Sequence, residues 1–282
     1  MATWKIAVVQ FDCRLGENAR NIEEMRRLLG VAADQRAKLV LFPECALSGY
    51  CYESKDEAWP FAETIPGAAS DLLSAECRRL GVWTMFGLLE RDGTELYNCA
   101  ALLGPDGSVV TYRKLHLPFL GIDRFNTPGN RPLAVHDLGG LRVGMLICYD
   151  GSFPEAPRVL TLLGADLVVL PTNWPTGASS TVKVSEVRAL ENHIYYAAIN
   201  RVGDERGFHF IGRSRIINPV GDVIAACETD QEAIAYAEVD PEWARQKRVV
   251  KIPGKYETDR IAHRRPEMYG VIGEPQMKPS GR

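Results

Sequence analysis

Cys148 sits where a thiol could do chemistry. It lies in Leu141-Arg142-Val143-Gly144-Met145-Leu146-Ile147-Cys148-Tyr149-Asp150-Gly151-Ser152-Phe153-Pro154-Glu155. The apolar run from Val143 to Ile147 predicts a buried strand. Ser152 and Glu155 have the Ser-x-x-Glu spacing of a capping box, which predicts a helix start. The thiol then falls between a strand end and the positive end of a helix, a position that lowers a thiol pKa. Such a turn also leaves backbone N–H groups free to hold an oxyanion. A buried cysteine alone, however, is common and inert.

Two further segments carry reactive side chains just past a strand end. Lys38-Leu39-Val40-Leu41-Phe42-Pro43-Glu44 ends in a carboxylate. Val109-Val110-Thr111-Tyr112-Arg113-Lys114-Leu115-His116-Leu117-Pro118 runs into a lysine and a loop. Alone, Glu44 or Lys114 reads as a solvated charge. Together the three ends offer a base, a cation and a thiol, and ligands of open α/β sheets bind at strand ends.

The elements that must position these groups alternate. Strands are predicted over 4–10, 38–42, 82–89, 97–103, 108–113, 141–147, 166–170, 194–199, 208–218, 222–227 and 233–239, and helices over 19–36, 68–80, 153–163 and 179–192. Ile22, Met25, Leu28, Leu29 and Ala32 form an apolar stripe on the first helix. Hairpin signals at Pro105-Asp106-Gly107 and Pro219-Val220-Gly221-Asp222 mix with the strand–helix alternation. The pattern is that of an α/β protein with mixed sheets and outer helices.

On Phe42-Pro43-Glu44, Tyr112-Arg113-Lys114-Leu115-His116-Leu117 and Ile147-Cys148-Tyr149-Asp150, the chain resembles the nitrilase, or carbon–nitrogen hydrolase, superfamily. Ala7-Val8-Val9-Gln10, Arg188-Ala189-Leu190-Glu191-Asn192, Asn200-Arg201-Val202-Gly203 and Gly212-Arg213-Ser214-Arg215-Ile216 extend the likeness in order along the chain. The resemblance implies a four-layer α-β-β-α sandwich forming a single domain over 1–282, with dimers as building block. It also implies a triad: Glu44 as general base, Lys114 as oxyanion stabiliser and Cys148 as nucleophile. Many members carry a second glutamate after the lysine. Between Lys114 and Cys148 this chain has none, and Asp123, in Gly121-Ile122-Asp123-Arg124-Phe125, is the better substitute of the two aspartates there. The alternative for Asp123 is a turn residue paired with Arg124.

Tyr50, Tyr149, Asn173 and Trp174 are candidate pocket residues, the last two because they follow the strand 166–170. For Trp174 a core or interface aromatic is the competing reading. The resemblance also bears on substrate. Nitrilases proper read Cys-Trp-Glu where this chain has Cys148-Tyr149-Asp150, which favours amides. Carbamoylases of D-amino acids place carboxylate-binding arginines where this chain has Gly151 and Ser152. The expected activity is hydrolysis of a small linear amide through a cysteine acyl-enzyme, releasing ammonia or amine. The alternatives are an N-carbamoyl amine or amino acid amidohydrolase and, in a different class, a catalytically silent binding or regulatory protein on the same fold.

Composition fits this expectation. A chain of 282 residues suffices for one large domain. A net charge of −3 argues against nucleic-acid and membrane partners. Seven cysteines without metal-like spacing favour a reduced, cytoplasmic setting. The first ten residues read as a strand rather than a signal segment, and no stretch is long enough for a membrane helix. Residues 241–282 mix basic residues with Tyr256 and Tyr269, but acids and prolines interrupt them, so a C-terminal arm at a subunit interface of a homodimer or higher homo-oligomer is expected rather than a nucleic-acid site. No cofactor or metal is expected: a P-loop, a dinucleotide fingerprint and metal-ligand spacing at His193 and His209 are all missing. Gly212-Arg213-Ser214-Arg215-Ile216 lacks the second glycine of a serine elbow. His116 reads as a structural hydrogen-bonding residue.

Overall fold

A computed structural model describes residues 3–275, apart from the side chains of residues 179 and 180. The strands are β1 (Trp4–Gln10), β2 (Leu39–Leu41), β3 (Trp83–Asp92), β4 (Glu95–Leu103), β5 (Val109–Arg113), β6 (Val135–Asp137), β7 (Arg142–Met145), β8 (Leu167–Thr172), β9 (Tyr195–Asn200), β10 (Val202–Glu205), β11 (Phe208–Ile211), β12 (Arg215–Ile217), β13 (Val223–Ala226) and β14 (Ala233–Val239). The helices are α1 (Asn18–Asp34), α2 (Lys55–Ala58), α3 (Ala68–Leu80), α4 (Glu155–Leu162), α5 (Ser179–Asn192) and α6 (Pro241–Arg245). Two six-stranded sheets result, ordered β14-β1-β2-β3-β4-β5 and β13-β12-β9-β8-β7-β6. Each has a parallel trio at its centre, β1-β2-β3 in one and β7-β8-β9 in the other, with antiparallel neighbours outside.

The strand pattern dictates the four layers. A Cβ on Gly144 would meet Leu160 of α4, so Val143 and Met145 face the opposite way. Their register partners Leu167 and Val169 share that face and join Ile6, Val8, Leu39, Leu41, Met85, Ala100 and Leu102 of the first sheet in one core. The other face of the first sheet, with Ala7, Val9, Val40, Phe86 and Ala101, packs on Met25, Leu29 and Ala32 of α1 and Leu73 and Cys77 of α3. Both faces of each central trio are therefore covered, as parallel strands require.

The predicted elements reappear with shifts of one to three residues at most ends, and one strand is divided. The run 208–218 breaks because Gly212 and Arg213 adopt left-handed backbone, φ 62° and 66°. Its first part pairs with β10, which sequence pattern missed, and its second part joins the second sheet. The helix after Cys148 begins later than the Ser152–Glu155 spacing implies. Residues Cys148–Ser152 form a 3-10 turn, and α4 follows Pro154 with no side-chain cap. Ser152 is thus not the cap. A capping pair does start α2, where the Ser54 hydroxyl accepts from the Glu57 N–H at 3.1 Å.

The chain divides into two compact units, with the break after Arg245. The expected arm spans 241–282. Yet α6 belongs to the first unit, because Arg245 is paired with buried Asp166 at 2.7 Å and donates to the Gly140 carbonyl. In the second unit β15 (Arg248–Ile252) and β16 (Tyr256–Asp259) form a hairpin, followed by 3-10 turns at Pro266–Met268 and Gly270–Gly273. The remainder of the arm, 276–282, lies outside the described residues. Among the described residues no helix is long and apolar enough to cross a membrane.

One contact fixes the carboxylate-bearing loop to the first sheet. Gly87 of β3 donates to the Pro43 carbonyl at 3.0 Å and accepts from the Leu47 N–H at 3.1 Å. A Cβ on Gly87 would lie 2.3 Å from the Cys45 nitrogen and 2.6 Å from the Glu44 Cα. Gly87→Ala should therefore push the loop off the strand. It is expected to cost about 1–3 kcal/mol in urea unfolding and to reduce turnover. Wild-type values for both would mean that the loop yields freely.

Candidate active site

Residues 41–52 are buried throughout although most lie outside regular structure. A buried loop must satisfy its own polar groups. This one does so through contacts such as Phe42 N–H to the Met85 carbonyl, 2.8 Å, and Tyr52 hydroxyl to the Ser48 carbonyl, 2.5 Å. It delivers Glu44 from the end of β2. From the end of β5 comes Lys114, whose N–H donates to the Asn98 carbonyl and continues the ladder with β4.

Both side chains are fully buried. Lys114 Nζ lies 2.7 Å from Glu44 Oε1 and 2.5 Å from Asp123 Oδ2. Asn98 of β4 donates from one amide to Glu44 Oε1 at 2.7 Å and to Asp123 Oδ1 at 3.0 Å. Asp123 belongs to a 3-10 turn, Gly121–Arg124, and also accepts from the Tyr50 hydroxyl at 2.9 Å and from Asn126 at 3.3 Å. It is not paired with Arg124, which donates instead to the Gly121 and Tyr52 carbonyls. Gly121 permits this approach: its φ is +50° and a Cβ there would sit 2.4 Å from the Tyr50 ring.

Cys148 comes from the second sheet, just after β7. Its φ of 46° is left-handed backbone, a strain that a non-glycine residue keeps when its surroundings enforce it. The Asn173 N–H, past the end of β8, is directed at its sulfur. Burial pushes the Cys148 thiol well above its ordinary range, Glu44 adds to this, and Lys114 opposes it. The expectation of a lowered thiol pKa is therefore overturned. The cause is burial of the sulfur, reinforced by the nearby Glu44 carboxylate. Burial likewise raises Glu44 above 4.5; Lys114 opposes this and Asp123 reinforces it. For Lys114 burial disfavours the charge, but Asp123 and Glu44 outweigh it and hold the ammonium well above its usual value. Burial thus favours the protonated thiol, while the two carboxylates favour the charged ammonium.

The candidate pocket residues divide. Tyr50 is buried, its hydroxyl engaged by Asp123 and the Leu120 carbonyl. Asn173 is buried, and neither side-chain amide atom has a hydrogen-bond partner; the same holds for Glu44 Oε2. Trp174 is a core residue whose backbone is bonded on both sides by Asn200. Tyr149 is 40% exposed and packs edge-on against Phe153.

Two residues escaped sequence reasoning. Asn98 bridges both carboxylates; its signal was an amide inside the apolar run Tyr97–Leu103. Asp150, fully buried, accepts from Tyr112 hydroxyl (2.7 Å), Ile147 N–H (3.0 Å) and His116 N–H (2.9 Å), and its Oδ1 lies 2.7 Å from His116 Nδ1. It bolts the residues flanking Lys114 to the turn that carries Cys148. His116, stacked on Phe153 at 3.7 Å, is structural as its sequence context implied. Among the described residues no His, Cys, Asp and Glu cluster has metal-holding geometry. A surface groove of about 680 Å³ between α5 and residues 211–221 shares no residue with this cluster and contains no thiol.

Comparison with known proteins agrees with this architecture. A family model described as carbon-nitrogen hydrolase matches residues 5–249. A nitrilase of Pyrococcus abyssi is 37% identical over 87% of this chain and 93% of its own length. Omega-amidase NIT2 of Danio rerio is 33% identical over 85% and 89%. Among solved structures, a CN-hydrolase superfamily protein of Xanthomonas campestris with an arsenic adduct in its active site superposes with a TM-score of 0.78 at 27% identity, covering 88% of this chain and 94% of that one. A mutant of the Nesterenkonia sp. AN1 amidase, with the acetamide moiety of fluoroacetamide added at its active-site cysteine, gives 0.78 at 25% identity over 94% and 95%. With the family model covering most of the chain and relatives above 30% identity matched over most of their length, the chain belongs to the carbon–nitrogen hydrolase family of the nitrilase superfamily.

Proposed function

We propose that this enzyme hydrolyses small linear amides through a thioester on Cys148. The observation that carries this reading is the buried Glu44–Lys114–Asp123 cluster with Glu44 Oε2 unpartnered, and Cys148 brought from the second sheet into its electrostatic range. Family membership and relatives named nitrilase and omega-amidase support carbon–nitrogen bond hydrolysis in general; the steps below are specific to the proposal.

Glu44 takes the thiol proton as sulfur bonds to the amide carbon. The carbonyl electron pair moves to oxygen, and Lys114 with the Tyr149 N–H holds that oxyanion. Glu44 then gives its proton to nitrogen, the C–N bond breaks and ammonia leaves. Water attacks the thioester, Glu44 takes its proton, and release of the acid restores the thiol. Asp123 stands in for the missing second glutamate by holding Lys114 in place.

The residues after the nucleophile favour a neutral substrate. A Cβ on Gly151 would approach Leu170 to 2.9 Å, so an arginine does not fit there. Arg188 nearby is engaged by the Gly151 and Ser152 carbonyls, both at 3.0 Å. N-carbamoyl amines are the second reading, favoured by Asn173, whose unpartnered donor and acceptor match a ureido group. A screen of aliphatic amides, N-carbamoyl amines and nitriles for ammonia release separates the readings. No turnover of any class, with Cys148 unreactive, would leave the silent binding protein.

Cys148→Ala and Cys148→Ser should each lower kcat by on the order of 10⁴ or more, and iodoacetamide should label Cys148 first by peptide mass spectrometry, because Glu44 can take the thiol proton as sulfur is alkylated. Retained activity in Cys148→Ala ends the proposal. Lys114→Ala should lose about 10²–10³ in kcat, the loss typical of one oxyanion donor. Lys114→Arg keeps the charge but not the donor geometry and should also lose most of its turnover.

The pH profile follows from the raised Glu44. A base must be ionised, so kcat/KM should climb with pH through a value above the ordinary 4.5. Asp123 is one cause of the upward shift. Asp123→Asn removes its charge, so the acid limb should move to lower pH. The same variant should slow deacylation, giving a burst of ammonia followed by slow acid release in rapid-quench experiments. An unmoved limb together with unchanged kcat would return Asp123 to a purely structural role.

A further inference from the structure

Outside the cluster, the buried Arg201–Glu205 ion pair has no part in the proposed chemistry. Arg201 follows β9 in the Asn200-Arg201-Val202-Gly203 segment, and it is fully buried. Its guanidinium lies 2.5 Å from Glu205 Oε2, donates to the Cys13 carbonyl, approaches Asp12 at 3.3 Å and stacks 4.4 Å from the Phe210 ring. The other oxygen of Glu205 is aimed elsewhere. Oε1 accepts from two successive backbone N–H groups, Tyr50 at 2.8 Å and Cys51 at 2.5 Å.

A buried ion pair is weak evidence for stability, since apolar residues of similar volume often serve as well. Its use here is directional. One carboxylate oxygen is saturated by the cation, and the other pins two adjacent amides of the buried loop that also carries Glu44. The pinned residue, Tyr50, packs its ring against Gly121 and sends its hydroxyl to Asp123, which holds Lys114 Nζ. A continuous set of contacts therefore runs from Arg201 through Glu205, the Tyr50 backbone and the Tyr50 hydroxyl to Asp123 and Lys114. The hairpin of β10 and β11, a separate two-stranded ribbon, contributes Glu205 to this set and Phe210, which stacks on Arg201.

We infer that Glu205, held by Arg201, is a positioning residue for the reactive cluster: it fixes the Tyr50 backbone so that the Tyr50 hydroxyl anchors Asp123 against Lys114. The inference rests on the proposed function of that cluster. Displacements of around 1 Å at supporting residues can cost on the order of 10²-fold in rate, so the link is expected to be visible in Cys148 reactivity as well as in turnover.

The test is a double-mutant cycle between Glu205→Gln and Tyr50→Phe, read as the rate of Cys148 alkylation by iodoacetamide at pH 7 and located by peptide mass spectrometry. This probe needs no knowledge of the physiological substrate. Glu205→Gln should slow alkylation about tenfold in the otherwise unchanged chain but less than about twofold when Phe replaces Tyr50, because the two act as one link. Glu205→Asp keeps the charge opposite Arg201 while shortening the reach to the two amides. It should fold and show the same loss, which covers the case in which the Gln variant fails to fold. A general destabilisation by Glu205 would instead multiply with Tyr50→Phe. Independent, multiplicative effects, or an Asp variant with wild-type reactivity, would overturn the positioning role while leaving the proposed nucleophile intact. Failure of iodoacetamide to label Cys148 first in the unsubstituted chain would remove the proposed function itself, and with it this inference.

Discussion

An ammonium with no exposed surface, shared by two carboxylates, is the constraint around which this molecule is arranged. Removing any one partner of such a set leaves uncompensated charge in the interior, at a cost of about 3–5 kcal/mol. The surroundings are built to prevent that. Asn98 ties the two carboxylates together, Tyr50 fixes the far side of Asp123, and Gly87 and Gly121 let backbone and ring approach closely enough to close the cluster. Each of these is a small or polar residue at a place where an apolar one would pack more simply. The local rules of core packing are broken together, at one place.

The fold makes that cluster possible by confronting strand ends. Glu44 and Lys114 leave the first sheet after β2 and β5, while Cys148 and Asn173 leave the second after β7 and β8. Asp150 joins the halves, accepting from Tyr112 and His116 on either side of Lys114 and from Ile147 beside the nucleophile. A sheet-to-sheet core of aliphatic side chains holds the layers at a fixed spacing. The polar bonds of Asp150 and Asn98 then set the register of the reactive groups within it.

How much of this could be read from the chain depends on the range of the interactions. Strand and helix positions rest on local periodicity, and the longer elements were legible, including the apolar stripe of α1; the short β6, β10, α2 and α6 and the β15–β16 hairpin were not. Glu44, Lys114 and Cys148 could be placed past strand ends and near one another from the sequence, and the family resemblance singled them out; Asp123 was singled out as the nearer acid to the lysine loop. The bonds that connect them were not. Asn98 meets Glu44 across 54 positions, and Glu205 meets Tyr50 across 155. No local pattern encodes such pairs. The break at Gly212–Arg213 was missed because the flanking residues keep strand character on both sides. The thiol misled for a different reason: the Ser-x-x-Glu spacing is a true helix signal in general, but Pro154 moved the helix start beyond it, and burial replaced the helix dipole as the dominant influence on the sulfur.

The raised thiol has a consequence for the proposed chemistry. Thiolate, Glu44 and Asp123 together would set three negative charges against one ammonium in a site of low polarity. With the proton on sulfur, the set carries one net negative charge. When sulfur attacks and Glu44 takes the proton, a charge appears on the former carbonyl oxygen and one disappears from the carboxylate, so the net charge is unchanged. It is unchanged again when nitrogen leaves with that proton. Charge moves toward Lys114 without any being created in the interior, which avoids the large desolvation cost of a free buried ion. A thiol activated in advance would lose this property, because its thiolate would have to be stabilised beside two carboxylates before any substrate arrived. In this geometry the base and the nucleophile are therefore matched: burial raises both, and the proton passes between them only as substrate provides a new seat for the charge.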